Sequence, residues 1–220
     1  MPTLALKSYQ QAALDTLTAF AQAAQVGGAA RAFEALAGRP YQSEPFGPDV
    51  PCVCLRIPTG GGKTLVAAHC IAATSRTLLD TDAPVTLWLT PSDTIRTQTL
   101  EALANVRHPY RQALAHSFGD RVQVCDLDSL QTLSPQDVGK AAIVVVATIQ
   151  SFNVSNTAQR SVYAFFEELA PHFDNLPPQL TQGLEKVTAA DLLSQPYLTE
   201  KDVGRVKYSV ANWLHLQRPV

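Results

Sequence analysis

The chain has no Cys-x-x-Cys pair, no apolar run of membrane-spanning length, no internal repeat and no marked excess of either charge. Each absence removes a class of protein. Its four cysteines are Cys52, Cys54, Cys70 and Cys125. They sit in apolar surroundings, which suits buried free thiols in a reducing compartment. A zinc site from Cys52, Cys54, His69 and Cys70 would need spacings outside the usual ones. The longest apolar runs, such as Ala141 to Ile149, are too short to span a bilayer. The N-terminus carries one early lysine and an amphipathic pattern in place of a signal-peptide core. The expectation is therefore a cytoplasmic protein without a membrane partner. A net charge of −2 gives no global basic field, so any nucleic-acid contact must be local. The composition is that of a globular protein, 46% hydrophobic and 16% charged, and 220 residues can bury one substantial core.

Periodicity divides the chain into a helical start and an alternating remainder. Leu6, Tyr9, Ala13, Leu14, Leu17 and Phe20 recur at three- and four-residue steps, which predicts a helix over 4–24, broken by Gly27-Gly28. A shorter helix over 30–36 ends at Gly38, and the Pro- and Gly-rich stretch 40–51 reads as a loop. Strands are predicted at 53–57, 86–89, 122–125 and 143–147. Helices are predicted at 63–79, 93–105, 110–117 and 162–169. Such alternation implies an α/β fold with a parallel sheet covered by helices on both faces. Residues 171–195 read as a loop-rich insertion with short helices. Val206, Val210, Trp213 and Leu214 then return to helical spacing.

The chemistry concentrates in Ile57-Pro58-Thr59-Gly60-Gly61-Gly62-Lys63-Thr64, between a predicted strand and a predicted helix. Glycines allow successive backbone N–H groups to turn inward around phosphate oxygens. The following helix begins there, with free N–H groups and its positive dipole end facing the same point. Lys63 can reach β- and γ-phosphates, and the Thr64 hydroxyl can hold Mg²⁺. Thr59, Gly60, Gly61, Gly62, Lys63 and Thr64 are thus the candidate phosphate-binding set. The usual pattern opens with Gly or Ala five residues before the last glycine, where this chain has Ile57.

Three further segments accompany the loop in order: Leu6-Lys7-Ser8-Tyr9-Gln10 upstream, Thr90-Pro91-Ser92-Asp93-Thr94-Ile95-Arg96-Thr97-Gln98 after the second strand, and Ala147-Thr148-Ile149-Gln150-Ser151-Phe152-Asn153 after the fourth. Together they resemble the first motifs of superfamily-two DEAD/DEAH-box helicases and translocases, above all the Res subunit of type III restriction enzymes. The resemblance implies a RecA-like P-loop domain, incomplete at the C-terminus. It sets residues 1–50 apart as N-terminal helices and a loop carrying the adenine-recognition motif. Residues 51–220 become a partial RecA-like domain with its insertion near 171–204. It implies ATP and Mg²⁺ as cofactors and DNA as a partner. The remainder of the motor, with a second RecA-like domain, and a modification or nuclease subunit complete the implied partners.

By the same resemblance, Gln10 reads adenine, because an amide pairs with both N6 and N7. Its bland alternative is a solvated helix glutamine. Pro91, Ser92 and Asp93 resemble the motif that touches a nucleic-acid backbone, although Ser92 or Asp93 is equally a helix N-cap. Thr148 and Gln150 resemble a second strand-contact motif, with strand-end hydrogen bonding as the alternative.

Hydrolysis by such machinery needs two acids, which the family supplies as Asp-Glu-x-His or Asp-Glu-x-Asp. This chain contains no such tetrapeptide. Asp126, after the third strand, serves as a metal ligand, in a strand-end turn or as a helix cap. Glu167-Glu168 reads as a solvated helix face. In the family, a helix resembling Val206–Leu216 leads through an Arg-Pro step into the strand that carries the acids. The chain stops at Arg218-Pro219-Val220, so the expectation is an N-terminal piece of an ATP-dependent DNA translocase, binding ATP without hydrolysing it alone. A self-contained P-loop kinase and a non-catalytic nucleotide or nucleic-acid binding module are the alternatives.

Overall fold

A computed structural model describes residues 5–43, 47, 50–153 and 161–218. Pro219 and Val220, the point where a further strand is expected, lie outside the described residues. The chain divides into two compact units: Met1–Pro84 with Ala102–Val122, and Val85–Glu101 with Gln123–Pro219.

The first unit is helical. Helix α1 (Ser8–Gly27) stops at Gly28, and α2 (Ala29–Ala37) stops at Gly38 in the left-handed conformation. Leu17, Phe20 and Ala24 of α1 pack with Ala29 and Ala32 of α2. Helix α3 (Lys63–Thr77) buries Leu65, Val66, Ala68, Ile71 and Ala72. Helix α5 (Pro109–Phe118) packs along α3. Arg76 on α3 reaches the Ser117 carbonyl at 2.6 Å.

The second unit holds a three-stranded parallel sheet, β1 (Val85–Thr90), β2 (Val122–Asp126) and β3 (Ala142–Thr148), in the order β1-β3-β2. Val122, the first residue of β2, is grouped with the other unit. The central strand is buried on both faces, with Ile143 and Val145 on one side and Ala142, Val144 and Val146 on the other. Its continuous apolar run therefore follows from its place in the sheet. Strands β1 and β3 pair in register from Val85↔Ile143 to Thr90↔Thr148, so their carboxyl ends are level. Helix α8 (Val210–Gln217) buries Trp213 against the Ile143 and Val145 face. The Trp213 indole N–H donates to His172 Nδ1 at 3.1 Å, and His172 Nε2 lies 2.8 Å from the Leu133 carbonyl. Both contacts are hydrogen bonds when His172 carries its proton on Nε2.

Three expectations of secondary structure need correction. The predicted strand 53–57 is not in the sheet. Val53, Leu55 and Ile57 are half-buried and Cys54 and Arg56 exposed, the alternation of a strand. Val53 and Leu55 nevertheless pack onto the α1–α2 cluster, and among the described residues no strand forms a ladder with them. The predicted helix 162–169 is two short 3₁₀ turns, Ser161–Tyr163 and Glu167–His172. Its three- and four-residue apolar spacing buries Val162, Phe165 and Leu169 as a helix would. However, the Phe166 N–H leaves the helical ladder to bond the Tyr208 carbonyl at 2.8 Å, and Pro171 cannot rejoin it. The last helix begins at Val210, because Val206 is taken up in an antiparallel bridge with Lys186. The insertion does contain short helices, α6 (Pro178–Thr181) and α7 (Ala189–Ser194).

Cys54 is exposed rather than buried. Burial pushes the Cys70 thiol up to about 11 and, with Asp126 adding to it, the Cys125 thiol up to about 12. Both stay protonated at neutral pH, a poor state for binding metal. Among the described residues no group of three or more His, Cys, Asp or Glu side chains could hold a metal ion.

The insertion is pinned by Lys207, whose ammonium lies 2.5 Å from the Asp191 carboxylate, each side chain 9% exposed. Burial alone would raise the Asp191 pKa, but hydrogen bonds from Lys207 and Thr188 outweigh it and hold the carboxyl below its usual range. A depressed folded-state value contributes stability above the unfolded carboxylate pKa, and that contribution is lost as pH falls through the folded value. Urea unfolding should therefore show stability declining below about pH 4, with the decline smaller in Asp191→Asn. Lys207→Met strands the buried carboxylate and should cost roughly 3 kcal/mol at pH 7.

Candidate functional site

The glycine loop and the start of α1 meet in the first unit. Gly60 and Gly62 both have φ +75°, flanking Gly61, and positive φ at alternate residues turns backbone N–H groups toward one point. Gly62 is the N-cap of α3, so the first N–H groups of that helix open onto the loop. Thr59 and Gly60 form the turn, closed by the Gly61 N–H on the Pro58 carbonyl at 3.0 Å.

Two of the three glycines have steric reasons to be glycine. A Cβ on Gly61 would stand 2.7 Å from Ile57 Cγ2 and 2.8 Å from the Pro58 carbonyl oxygen. Ile57, the departure from the usual loop pattern, thus lies directly against the loop's middle residue. A Cβ on Gly62 would stand 2.5 Å from Gln10 Nε2.

Gln10 is buried, with 5% exposed. Its Nε2 donates to the Gly61 carbonyl at 2.9 Å, and its Oε1 accepts the Lys7 N–H at 2.8 Å, closing the first turn of α1. The solvated-glutamine alternative does not describe it. Tyr9 adds a second bond to the same carbonyl, from its hydroxyl at 3.0 Å. The sequence motif contained Tyr9 but gave no reason to expect that contact.

Lys63 is exposed, and its ammonium donates to the loop's own Pro58 and Ile57 carbonyls at 3.2 and 3.4 Å. Thr64 follows it in the first turn of α3. The arrangement provides a steric cradle that a Cβ would fill, helix-end N–H donors, a cation and a hydroxyl. Those donors suit a polyphosphate with its divalent cation.

A second group of predicted residues gathers at the carboxyl edge of the sheet. Because Thr90 and Thr148 are register partners, the segments that follow them emerge side by side. Gln150 Nε2 donates to the Pro91 carbonyl at 3.0 Å, and the Thr148 and Ser151 hydroxyls are 2.9 Å apart. Pro91, Ser92, Asp93, Thr148 and Gln150 therefore share one edge. Ser92 caps α4 (Asp93–Ala104): its carbonyl accepts the Arg96 N–H, and its hydroxyl faces the Ile95 N–H at 3.4 Å. Arg96 spends its charge on two carboxylates, Asp93 at 2.7 Å and Asp126 at 3.2 Å.

Asp126 is structurally engaged. One carboxylate oxygen accepts from the Ser129 N–H and hydroxyl, the other from Arg96. Burial favours a higher pKa, but these donors hold it below the usual carboxylate value. This is the strand-end turn role. Glu167 and Glu168 are exposed, as a solvated pair should be, though on a 3₁₀ turn.

Gly60→Ala and Gly62→Ala separate backbone strain from the Gln10 contact. Both force a side chain to positive φ, which costs roughly 1–2 kcal/mol. Only Gly62→Ala also meets Gln10, since nothing lies within 4 Å of a Cβ on Gly60. Urea unfolding should therefore find Gly62→Ala the more damaging. Equal losses would show that the Gln10 link adds nothing.

A family model described as type III restriction enzyme, res subunit, matches residues 3–174. No curated protein and no solved structure matches the chain. The matched region contains the Gln10 turn, the glycine loop and both segments of the sheet edge, and it covers well over half of the chain. The chain belongs to the type III restriction enzyme res subunit family, whose domain is a RecA-like P-loop fold.

Proposed function

We propose that this chain binds ATP through the glycine loop as the nucleotide-holding part of a restriction-type DNA translocase. The observation that carries the reading is the 2.9 Å bond from Gln10 to the Gly61 carbonyl, which joins the adenine-recognition residue to the phosphate loop. Gln10 retains one amide hydrogen and one lone pair beyond its two protein bonds, the complement of the adenine N7 and N6 edge. Gly60, Gly61 and Gly62 bring the backbone close to the phosphates, with Thr59 at the turn. Lys63 exchanges its loop carbonyls for β- and γ-phosphate oxygens, and Thr64 supplies its hydroxyl to Mg²⁺.

DNA contact is assigned to the sheet edge. Pro91 and Ser92 lead into α4, which begins at Asp93 and whose N-terminus favours a backbone phosphate. Thr148 and Gln150 stand beside them. Capping by Ser92 is compatible with this role, because it uses that residue's carbonyl and one hydroxyl lone pair. Arg96 is neutralised by its two carboxylates, so the contact is local and weak in isolation. A second RecA-like domain and a modification or nuclease subunit belong to the same proposal. So does the division at residue 50 between the adenine-recognition segment and the P-loop region.

Hydrolysis is assigned to acids outside this chain, because it has no Asp-Glu-x-His or Asp-Glu-x-Asp motif and Asp126 is already engaged. Isothermal titration with Mg-ATP should show weak binding that Lys63→Ala reduces about tenfold or more, the worth of a charged hydrogen bond. Phosphate release should stay at background with and without DNA. A wild-type chain that ignores Mg-ATP would sink the nucleotide reading. Robust DNA-stimulated turnover would sink the assignment of hydrolysis elsewhere.

A further inference from the structure

A cleft of about 390 Å³ opens beside the loop, lined by Tyr9, Gln10, Gly60 and Gly62 together with His108 and Tyr110. Its size suits a small-molecule ligand. His108 and Tyr110 form a wall at the start of α5, more than forty positions beyond the glycine loop, and no motif in the sequence marks it. That wall is held stiffly. Pro109 occupies the first turn of α5, where its fixed φ is preorganised. His108 Nδ1 accepts the Tyr110 N–H at 3.3 Å. The His108 and Tyr110 rings stand edge to face, with centroids 4.4 Å apart and planes at 71°.

We propose that Tyr110 is the stacking face for the nucleobase, with His108 as its backing, so that base affinity comes from α5 as well as from Gln10. The chemistry runs from three features. The cleft lining includes the Gln10 amide, with one donor and one acceptor uncommitted, which a nucleobase edge can use. The same cleft is lined by the His108 and Tyr110 rings, and aromatic faces stack on bases irrespective of sequence. Two rings set edge to face cannot both lie flat on one planar ligand. His108 is fixed as the cap of α5, which leaves the Tyr110 ring to take the base. This wall rests on the nucleotide reading above.

The test compares ligands with and without a base. Wild type, Tyr110→Ala, Tyr110→Phe and Lys63→Ala are titrated with Mg-ATP and with magnesium tripolyphosphate. Tyr110→Ala should lose roughly 5- to 100-fold in ATP affinity, the range for one base on one aromatic ring. Its tripolyphosphate affinity should be unchanged, and Tyr110→Phe should bind ATP like wild type. An unchanged ATP affinity in Tyr110→Ala, with Lys63→Ala still weakening both ligands, would overturn the stacking wall and leave the phosphate cradle standing. An equal loss of both ligands in Tyr110→Ala would also overturn it, as a structural effect. Wild type binding neither ligand would overturn the nucleotide reading and the wall with it. Photolabelling of wild type by 8-azido-ATP provides a check that needs no variant. Label on the peptide carrying His108 and Tyr110 supports the wall, and label confined elsewhere overturns it.

Discussion

The carbonyl of Gly61 accepts two hydrogen bonds, from Gln10 Nε2 and from the Tyr9 hydroxyl, and the candidate site depends on that convergence. It ties residues 51 and 52 positions apart in sequence. The same glutamine closes the first turn of α1 through Lys7, so helix start and loop share a side chain. The glycines answer to the same constraint. Gly62 leaves room for Gln10, and Gly61 leaves room for Ile57 and the Pro58 carbonyl. A loop described by its composition alone would look permissive. Sterically it is tightly specified at Gly61 and Gly62, while Gly60 has open space and needs glycine only for its φ.

Much of the fold was legible because burial wrote itself into the sequence with a clear period. The continuous apolar run at β3 announced a strand buried on both faces, and the three- and four-residue steps of α1 announced an amphipathic helix. Failures fall where pattern and hydrogen bonding part company. Val53, Leu55 and Ile57 alternate as strand residues do, yet side-chain alternation does not supply a ladder partner. Val162, Phe165 and Leu169 keep helical spacing, yet the bond from Phe166 to Tyr208 diverts the backbone between them. Periodicity reports which side chains are buried, and the destination of each N–H is a separate fact.

The site divides in the same way. Residues tied to a motif, Gln10 and 59–64 together with the pair of segments after β1 and β3, could be named from the chain. The parallel register that levels Thr90 with Thr148 explains why the latter two segments meet. Contacts made by tertiary approach carried no local signal. Nothing about His108-Pro109-Tyr110 in sequence says that it faces the glycine loop. Likewise the neutralisation of Arg96 by Asp126, thirty positions away, was invisible beside its nearer partner Asp93. Charge counted along a chain overstates the charge a folded surface offers.

The segment between Cys52 and Ile57, which has no ladder partner among the described residues, has a bearing on association. Backbone groups without a strand neighbour, on a stretch with strand-like alternation, form a template for any other extended chain, including a second copy. Pro51 and Pro58 bracket the segment, and Arg56 stands exposed within it. Neither proline has an N–H to donate to an incoming strand, and a charged side chain discourages close stacking. The residues that deliver the chain into the glycine loop thus also limit the length of edge open to pairing.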